Sequence, residues 1–235
     1  LSVYDVGVAY VWNPASGFRR LDAPASLYGS VATGVNNAGQ VSGYVGTGTY
    51  LATRWEADGQ AELLGSLGGT WGYGNGINEA GQVAGYSGNS SGYHHPFLWD
   101  PETGMTDLGT FAGTDTSFGQ AFAVNEAGHV VGNADSGSFG RAFLWKDGEL
   151  IAIGPNLSYA YALNDLDHVV GQFTSRSRSR AFLYKDGKFV DLNTLSPSTP
   201  RITLTDGRGI NNAGWIVANG TNAQGKKRAF VLIPR

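Results

Sequence analysis

Apolar residues come in short runs broken by Gly, Asn, Asp and Pro, and no segment sustains an apolar period of 3.6 residues. Strands are therefore expected almost throughout, with helices nearly absent. One apolar run recurs six times, as Ala9–Trp12, Ala52–Trp55, Pro96–Trp99, Ala142–Trp145, Ala181–Tyr184 and Ala229–Leu232. Tight turns such as Asp100–Gly104, Lys146–Gly148 and Lys185–Gly187 follow it. A second pattern recurs five times, as Val35–Gly43, Ile77–Gly85, Val124–Gly132, Leu163–Gly171 and Ile210–Ala218, mostly in the form Asn-x-Ala-Gly-x-Val-x-Gly. Asn can close a turn on its own backbone and Gly accepts positive φ, so each segment reads as a hairpin between two strands.

The hairpins are anchored at Asn36, Asn78, Asn125, Asn164 and Asn211, at spacings of 42, 47, 39 and 47 residues. A period of 40–50 residues with several short strands per unit is the signature of propeller blades. Residues 1–235 thus read as a single all-β domain, a β-propeller of five four-stranded blades with strands A to D. The N-terminal strands are expected to close the ring against Ala229–Leu232. A sixth, composite blade is the alternative, since there are six strand-C runs for five hairpins.

The pattern of hairpin, strand ending in Phe-Leu-Trp, and Asp-Leu-Gly strand resembles the HAF-repeat family of bacterial extracellular proteins over nearly the whole chain. Tyr93–Phe97 departs from it with Pro in place of Ala, and Leu163–Asp167 replaces Ala-Gly. The resemblance implies a secreted or cell-surface protein and no settled activity. The chain begins at Leu1 with no basic-then-apolar leader, so an export signal is expected to have been removed or not included.

Composition narrows the classes further. Gly accounts for 36 of 235 residues, only 15% are charged, and Cys is absent, which excludes disulfides, thiolate metal sites and cysteine nucleophiles. No run is long and apolar enough for a membrane span. Net charge is -3 and pI about 5.8, which argues against a nucleic-acid partner. Residues 1–120 nevertheless carry -7 and residues 121–235 carry +4.

The A–B and C–D turns are short and alike, whereas the B–C and D–A connections vary, so function is expected on the latter face. Strand A sharpens this expectation. Positions two and four before each anchoring Asn are all Gly or Ala, as an innermost strand requires, while the intervening positions differ in every unit. Those are Val31 and Thr33, Tyr73 and Asn75, Gln120 and Phe122, Tyr159 and Tyr161, Asp206 and Arg208. With Trp71, read as part of a D–A loop, they predict an asymmetric pocket of aromatics, amides and charges. Such a lining suits a sugar, whose C–H face stacks on rings while its hydroxyls bond polar groups. The ligand set is Trp71, Tyr73, Asn75, Gln120, Phe122, Tyr159, Tyr161, Asp206 and Arg208.

Secondary candidates lie in the B–C loops. His94 and His95 have no counterpart in other units, and as neighbours in an extended strand they point to opposite sides, a poor metal chelate. Arg176, Arg178 and Arg180 alternate with Ser, and with Lys226, Lys227 and Arg228 of the next unit they would offer six cations to a row of carboxylates or sulfates. His129 and His168 stand where other units have Gln and read as structural. No metal site or cofactor is expected; Asp165 and Asp167 read as turn residues.

The expected function is an exported binding module for a carbohydrate, in particular an anionic polysaccharide, or another acidic surface ligand, acting as a monomer or weak oligomer. One alternative is a polysaccharide lyase, with a Tyr or His base and a cation on the uronate carboxyl. The other is a non-catalytic structural or adhesion protein. A glycosidase is disfavoured, because Asp206 is the one carboxylate at the variable strand-A positions.

Overall fold

A computed structural model describes residues 7–24, 27, 29–137, 139–195 and 202–234. Its 21 strands form six antiparallel sheets in chain order, and a short 3-10 helix, Leu192–Thr194, is the one helix among the described residues. The first sheet is a hairpin of β1 (Ala9–Asn13) and β2 (Gly17–Leu21). Three full units follow: β3 (Ser30–Val35) to β6 (Ala61–Leu63) through β4 (Val41–Val45) and β5 (Leu51–Trp55); β7 (Gly68–Ile77), β8 (Val83–Asn89), β9 (His94–Asp100) and β10 (Gly104–Asp107); and β11 (Gly119–Val124), β12 (Val130–Asp135), β13 (Gly140–Lys146) and β14 (Glu149–Asn156). The fourth unit comprises β15 (Ser158–Leu163), β16 (Val169–Ser175), β17 (Arg178–Lys185) and β18 (Lys188–Asp191). The fifth has β19 (Thr203–Ile210), β20 (Ile216–Thr221) and β21 (Lys227–Leu232).

The five hairpins are where the repeat puts them. Among the described residues β1 and β2 pair with each other, and β21 pairs with β20. The β1–β2 hairpin packs on the sheet that follows it. Its residues Ala9, Val11 and Leu21 pack on Val41, Val45 and Trp55 of the next sheet. Ala9 N–H donates to Ser30 Oγ, which donates to Leu21 O, just as Ala142 N–H donates to Ser158 Oγ in a full unit, where Ser158 donates to Pro155 O. The hairpin therefore occupies the C and D positions of a unit preceding β3–β6. Four-stranded construction holds for the middle four sheets, and the fifth has three strands among the described residues.

Each of the middle four sheets buries both faces against its neighbours, giving a separate core at every junction. Ala52 and Leu64 meet Val83, Phe97 and Trp99; Leu98 and Leu108 meet Ala121, Val130 and Phe143; Leu144 and Ile153 meet Ala160, Val169 and Phe182. Leu192 and Val170 meet Leu204 and Ile216 in the same way. Burial of both faces explains why strand C is an unbroken apolar run rather than an alternation.

Polar ties run along the A–B turns. The Oδ1 of each anchoring Asn accepts the backbone N–H four residues on, closing its own turn. Its Nδ2 donates to the carbonyl of the next anchor: Asn36 to Asn78, Asn78 to Asn125, Asn125 to Asn164 and Asn164 to Asn211, at 2.9–3.2 Å. One residue on, a second relay passes from Asn37 N–H to Glu79, from Glu79 to Glu126, from Glu126 to Asp165 and from Asp165 to Asn212. Asp167 holds the positive-φ position that Gly fills elsewhere, and its carboxylate binds Lys146, His129 and Asn125. The four donors are buried, whereas Asn211 is exposed.

Asn125→Ala is expected to cost about 2–4 kcal/mol, because a buried turn N–H and an inter-sheet bond are lost together. Asn211→Ala, with its turn open to water, should cost less than about 1 kcal/mol. Chemical denaturation of both variants checks the order; equal losses would show that the relay does not stabilise the arc.

Candidate functional site

The inner strands explain how the variable residues are displayed. In all five A–B ladders the register shifts at one place, between Ala32 and Gly34, Gly74 and Gly76, Ala121 and Ala123, Ala160 and Ala162, and Gly207 and Gly209. The extra residue at each bulge is Thr33, Asn75, Phe122, Tyr161 or Arg208. A bulge frees one residue from the ladder and turns its side chain. Opposite it stands the Gly that ends the repeat. A Cβ at Gly43, Gly85, Gly132 or Gly171 would lie 1.9–2.0 Å from the carbonyl oxygen of Val31, Tyr73, Gln120 or Tyr159, so no other residue fits. Two inner strands have a second register shift, β7 between Gly68 and Gly72 and β19 between Leu204 and Asp206, and in the fifth unit Ala218 takes the place of Gly.

The other variable position of each inner strand is paired. Val31 faces Tyr44, Tyr73 faces Tyr86, Gln120 faces Asn133, Tyr159 faces Gln172 and Asp206 faces Asn219. These strand-B partners belong to the variable surface and escaped the sequence reading. Their signal was available: each directly follows the last residue of the repeat, and they change from Tyr in the first two units to Asn or Gln in the last three.

Two groups of rings result. In the first, Tyr73 stacks on Tyr86 at 5.0 Å and 20°, and meets Tyr44 at 4.7 Å and Tyr50 at 5.5 Å. Trp71 adjoins Tyr73, Tyr86 and His94 at 5.6–6.1 Å, and His94 leads to Phe118, which contacts Tyr93. Trp71 lies in strand β7, not in a loop, because the strand runs on past its neighbours. It fits against Gly88, where a Cβ would stand 2.9 Å from its Nε1. All eight residues are half-buried except Phe118, which is exposed.

The second group comprises Phe122, Tyr159, Tyr161, Asp206 and Arg208. Tyr161 lies between Phe122 at 5.6 Å and Tyr159 at 6.2 Å, with the Arg208 guanidinium 4.3 Å over its ring. Arg208 Nε also donates to Asp206, which accepts from Asn219 and Thr205 as well. Those donors hold the Asp206 carboxyl below its usual range despite burial. Burial, more than any neighbour, pushes the Tyr73, Tyr86 and Tyr161 hydroxyls up, and it lowers His94.

Not every candidate joins these groups. Asn75 Nδ2 is bound to Ala121 O, an inter-sheet tie at 2.7 Å like that of Thr33 Oγ1 to Gly74 O. Gln120 is half-buried on β11. His94 and His95 sit on β9, on opposite faces as the extended backbone demands; His95 is buried with Nδ1 2.9 Å from Asp107. Arg176 is in a turn with Ser177, both at positive φ, and Arg178 and Arg180 are on β17. With Ser175 and Asp191 these three line an open cavity of about 620 Å³. Asp191 binds Arg180 through Oδ2 and the Asn193 backbone through Oδ1. Lys226 directly precedes β21, Lys227 and Arg228 begin it, all three are exposed, and the cavity lining is drawn from the fourth unit alone. Among the described residues no cluster of His, Asp or Glu has the make-up to hold a metal ion, and no helix is long and apolar enough to cross a membrane.

No protein-family model matches the chain, and no curated protein matches it. Solved structures do. A puromycin-hydrolyzing peptidase of Mycobacterium tuberculosis is similar over 97% of this chain and 42% of its own, with a TM-score of 0.63 at 11% identity. A puromycin hydrolase mutant complexed with PGG matches 97% of this chain and 43% of its own, with a TM-score of 0.57 at 14% identity. A gluconolactonase from Xanthomonas campestris matches 98% of this chain and 86% of its own, at a TM-score of 0.49 and 12% identity. The chain spans about two fifths of the length of that peptidase and of that hydrolase. At these identities the likeness shows the fold alone, an all-β, propeller-like one.

Proposed function

We propose that this chain is an exported carbohydrate-binding module whose binding surface is the aromatic band at the B–C and D–A end. The observation that carries the reading is the continuous run of rings from Tyr50 and Tyr44 through Tyr73, Tyr86 and Trp71 to His94 and Phe118. Rings buried only for packing need not remain half-open to water. A flat sugar face can lie on such rings while its hydroxyls reach amides and phenol oxygens. Acidic sugars are favoured, because Arg208 and the arginines at the 620 Å³ cavity supply guanidinium groups for carboxylate or sulfate.

The phenols and imidazoles favour binding over lyase chemistry. A catalytic base works best with its pKa near the ambient pH, whereas burial moves the Tyr73 and Tyr161 hydroxyls away from it, upward. Arg208 opposes that rise at Tyr161 without reversing it. His95 is turned inward onto Asp107. His94 is neutral at neutral pH and serves as one more ring of the band.

Trp71→Ala, Tyr86→Ala and Phe118→Ala should each weaken glycan binding about two- to tenfold, since one ring contact contributes ~0.5–1.5 kcal/mol. A glycan array with uronate and sulfated polymers, followed by calorimetry, measures this, with circular dichroism confirming the fold. Release of an ultraviolet-absorbing unsaturated product would replace the reading with lyase activity. A blank array, or folded variants with undiminished binding, would remove the sugar reading.

His94 and His168 are lowered from 6.5, chiefly by desolvation. Below pH 6.5 the unfolded chain therefore binds protons first, and stability falls as pH drops from 6.5 towards the depressed folded values. Denaturation at about pH 7.5 and about pH 5.5 should show this decline, and His94→Phe should make it shallower. An unchanged decline would show that His94 titrates normally.

A further inference from the structure

The two ends of the arc expose opposite halves of the same repeat interface. On the forward face of a unit stand Ala142 and Val131, both fully buried, and Leu144, 4% exposed. Their counterparts at the end of the arc are Ala229, which is exposed, Val217 at 48% and Val231 at 60%. On the backward face, Phe97 is fully buried and Trp99 is 6% exposed, but the equivalent Tyr10 and Trp12 of the first hairpin are 57% and 59% exposed. Phe18, beside them on β2, is 77% exposed. Among the described residues neither face covers the other.

Backbone and polar groups are open at the same places. β1 has β2 on one edge and, among the described residues, no strand on the other, where a full unit would place strand B. Asn211 is the one anchoring Asn whose Nδ2 makes no inter-sheet bond among the described residues, and Asn36 O accepts none from a preceding anchor.

We propose that this gap is a docking site for one β-hairpin with the A–B pattern of the chain's own repeat, bound by strand addition to β1. Such a hairpin would complete a composite sixth unit with β1 and β2. Its backward-facing residues, together with Tyr10, Trp12 and Phe18, would cover Val217, Ala229 and Val231, the contact that recurs at every other junction. The main chain would pair with the free edge of β1. Its Asn would accept from Asn211 Nδ2 and donate to Asn36 O, making the relay continuous. The five junctions already formed specify this occupant: small residues on the inner strand, Val at the strand-B positions and Asn at the turn.

A synthetic peptide covering residues 119–135 is the probe, titrated into the chain and followed by native mass spectrometry, calorimetry and amide hydrogen exchange. The expected result is one peptide per chain, slowed exchange across Ala9–Asn13, and at least about tenfold weaker binding of the same peptide carrying Asn125→Ala. Chain variants Trp12→Ser and Val231→Ser should each lose about tenfold or more, and their exposed positions let the fold survive. No binding by a chain whose Ala9–Asn13 amides exchange freely would overturn the proposal, as would equal binding to the Trp12→Ser chain. Two other outcomes also overturn it: self-association abolished by Trp12→Ser and not competed by peptide, which gives the faces to a second copy, or protection of Ala9–Asn13 in the free monomer, which means the chain closes on itself.

Discussion

A sheet of four short strands buried on both faces cannot stand alone, and the architecture follows from that constraint. Each unit needs a neighbour on either side, and the anchoring Asn fixes where the neighbour sits. Its two amide functions are divided: Oδ1 shapes the turn within one unit, and Nδ2 fixes the distance and rotation to the next. Local turn geometry and inter-sheet geometry thus depend on one side chain, which leaves little freedom at that end of the molecule. The carboxylate relay one residue away repeats the same logic with Glu79, Glu126 and Asp165.

The opposite end is freed by that rigidity. Trp71, Tyr73 and Tyr86 can differ from their counterparts in other units because none of their side chains belongs to the Asn relay that ties the units together. Asn75 and Thr33 mark the boundary, as residues at variable positions used for inter-sheet bonds. Chemistry is accordingly uneven around the axis: rings gather in the first three units, and a Tyr–Arg–Asp group in the last two.

Much of this was legible in the chain. The five hairpins, the strand-C runs and the Gly or Ala pairs flanking each variable residue were written in the periodicity. The bulge was not, because an extra residue in one strand is defined against its partner, and a single strand carries no register. For the same reason Tyr44, Tyr86, Asn133, Gln172 and Asn219 went unnoticed, although they face the candidates across the ladder. Ala9–Trp12 looks like any strand C, and only packing shows that it lies against β3–β6. Trp71 was placed in a loop since strand length past the end of a ladder leaves no mark in the sequence.

The bulge also bears on how such a surface can change over time. A residue in a ladder is constrained by its cross-strand neighbour, so exchanging it disturbs two strands. Thr33, Asn75, Phe122, Tyr161 and Arg208 are outside that bookkeeping, each beside a Gly or Ala whose backbone spacing is already set by the facing strand. Phe122, Tyr161 and Arg208, which donate no bond to a neighbouring backbone, form a small alphabet that can be respelled one letter at a time. Diversity there leaves the register intact, which makes these three sites the natural positions for a library that retunes ligand preference on an unchanged scaffold.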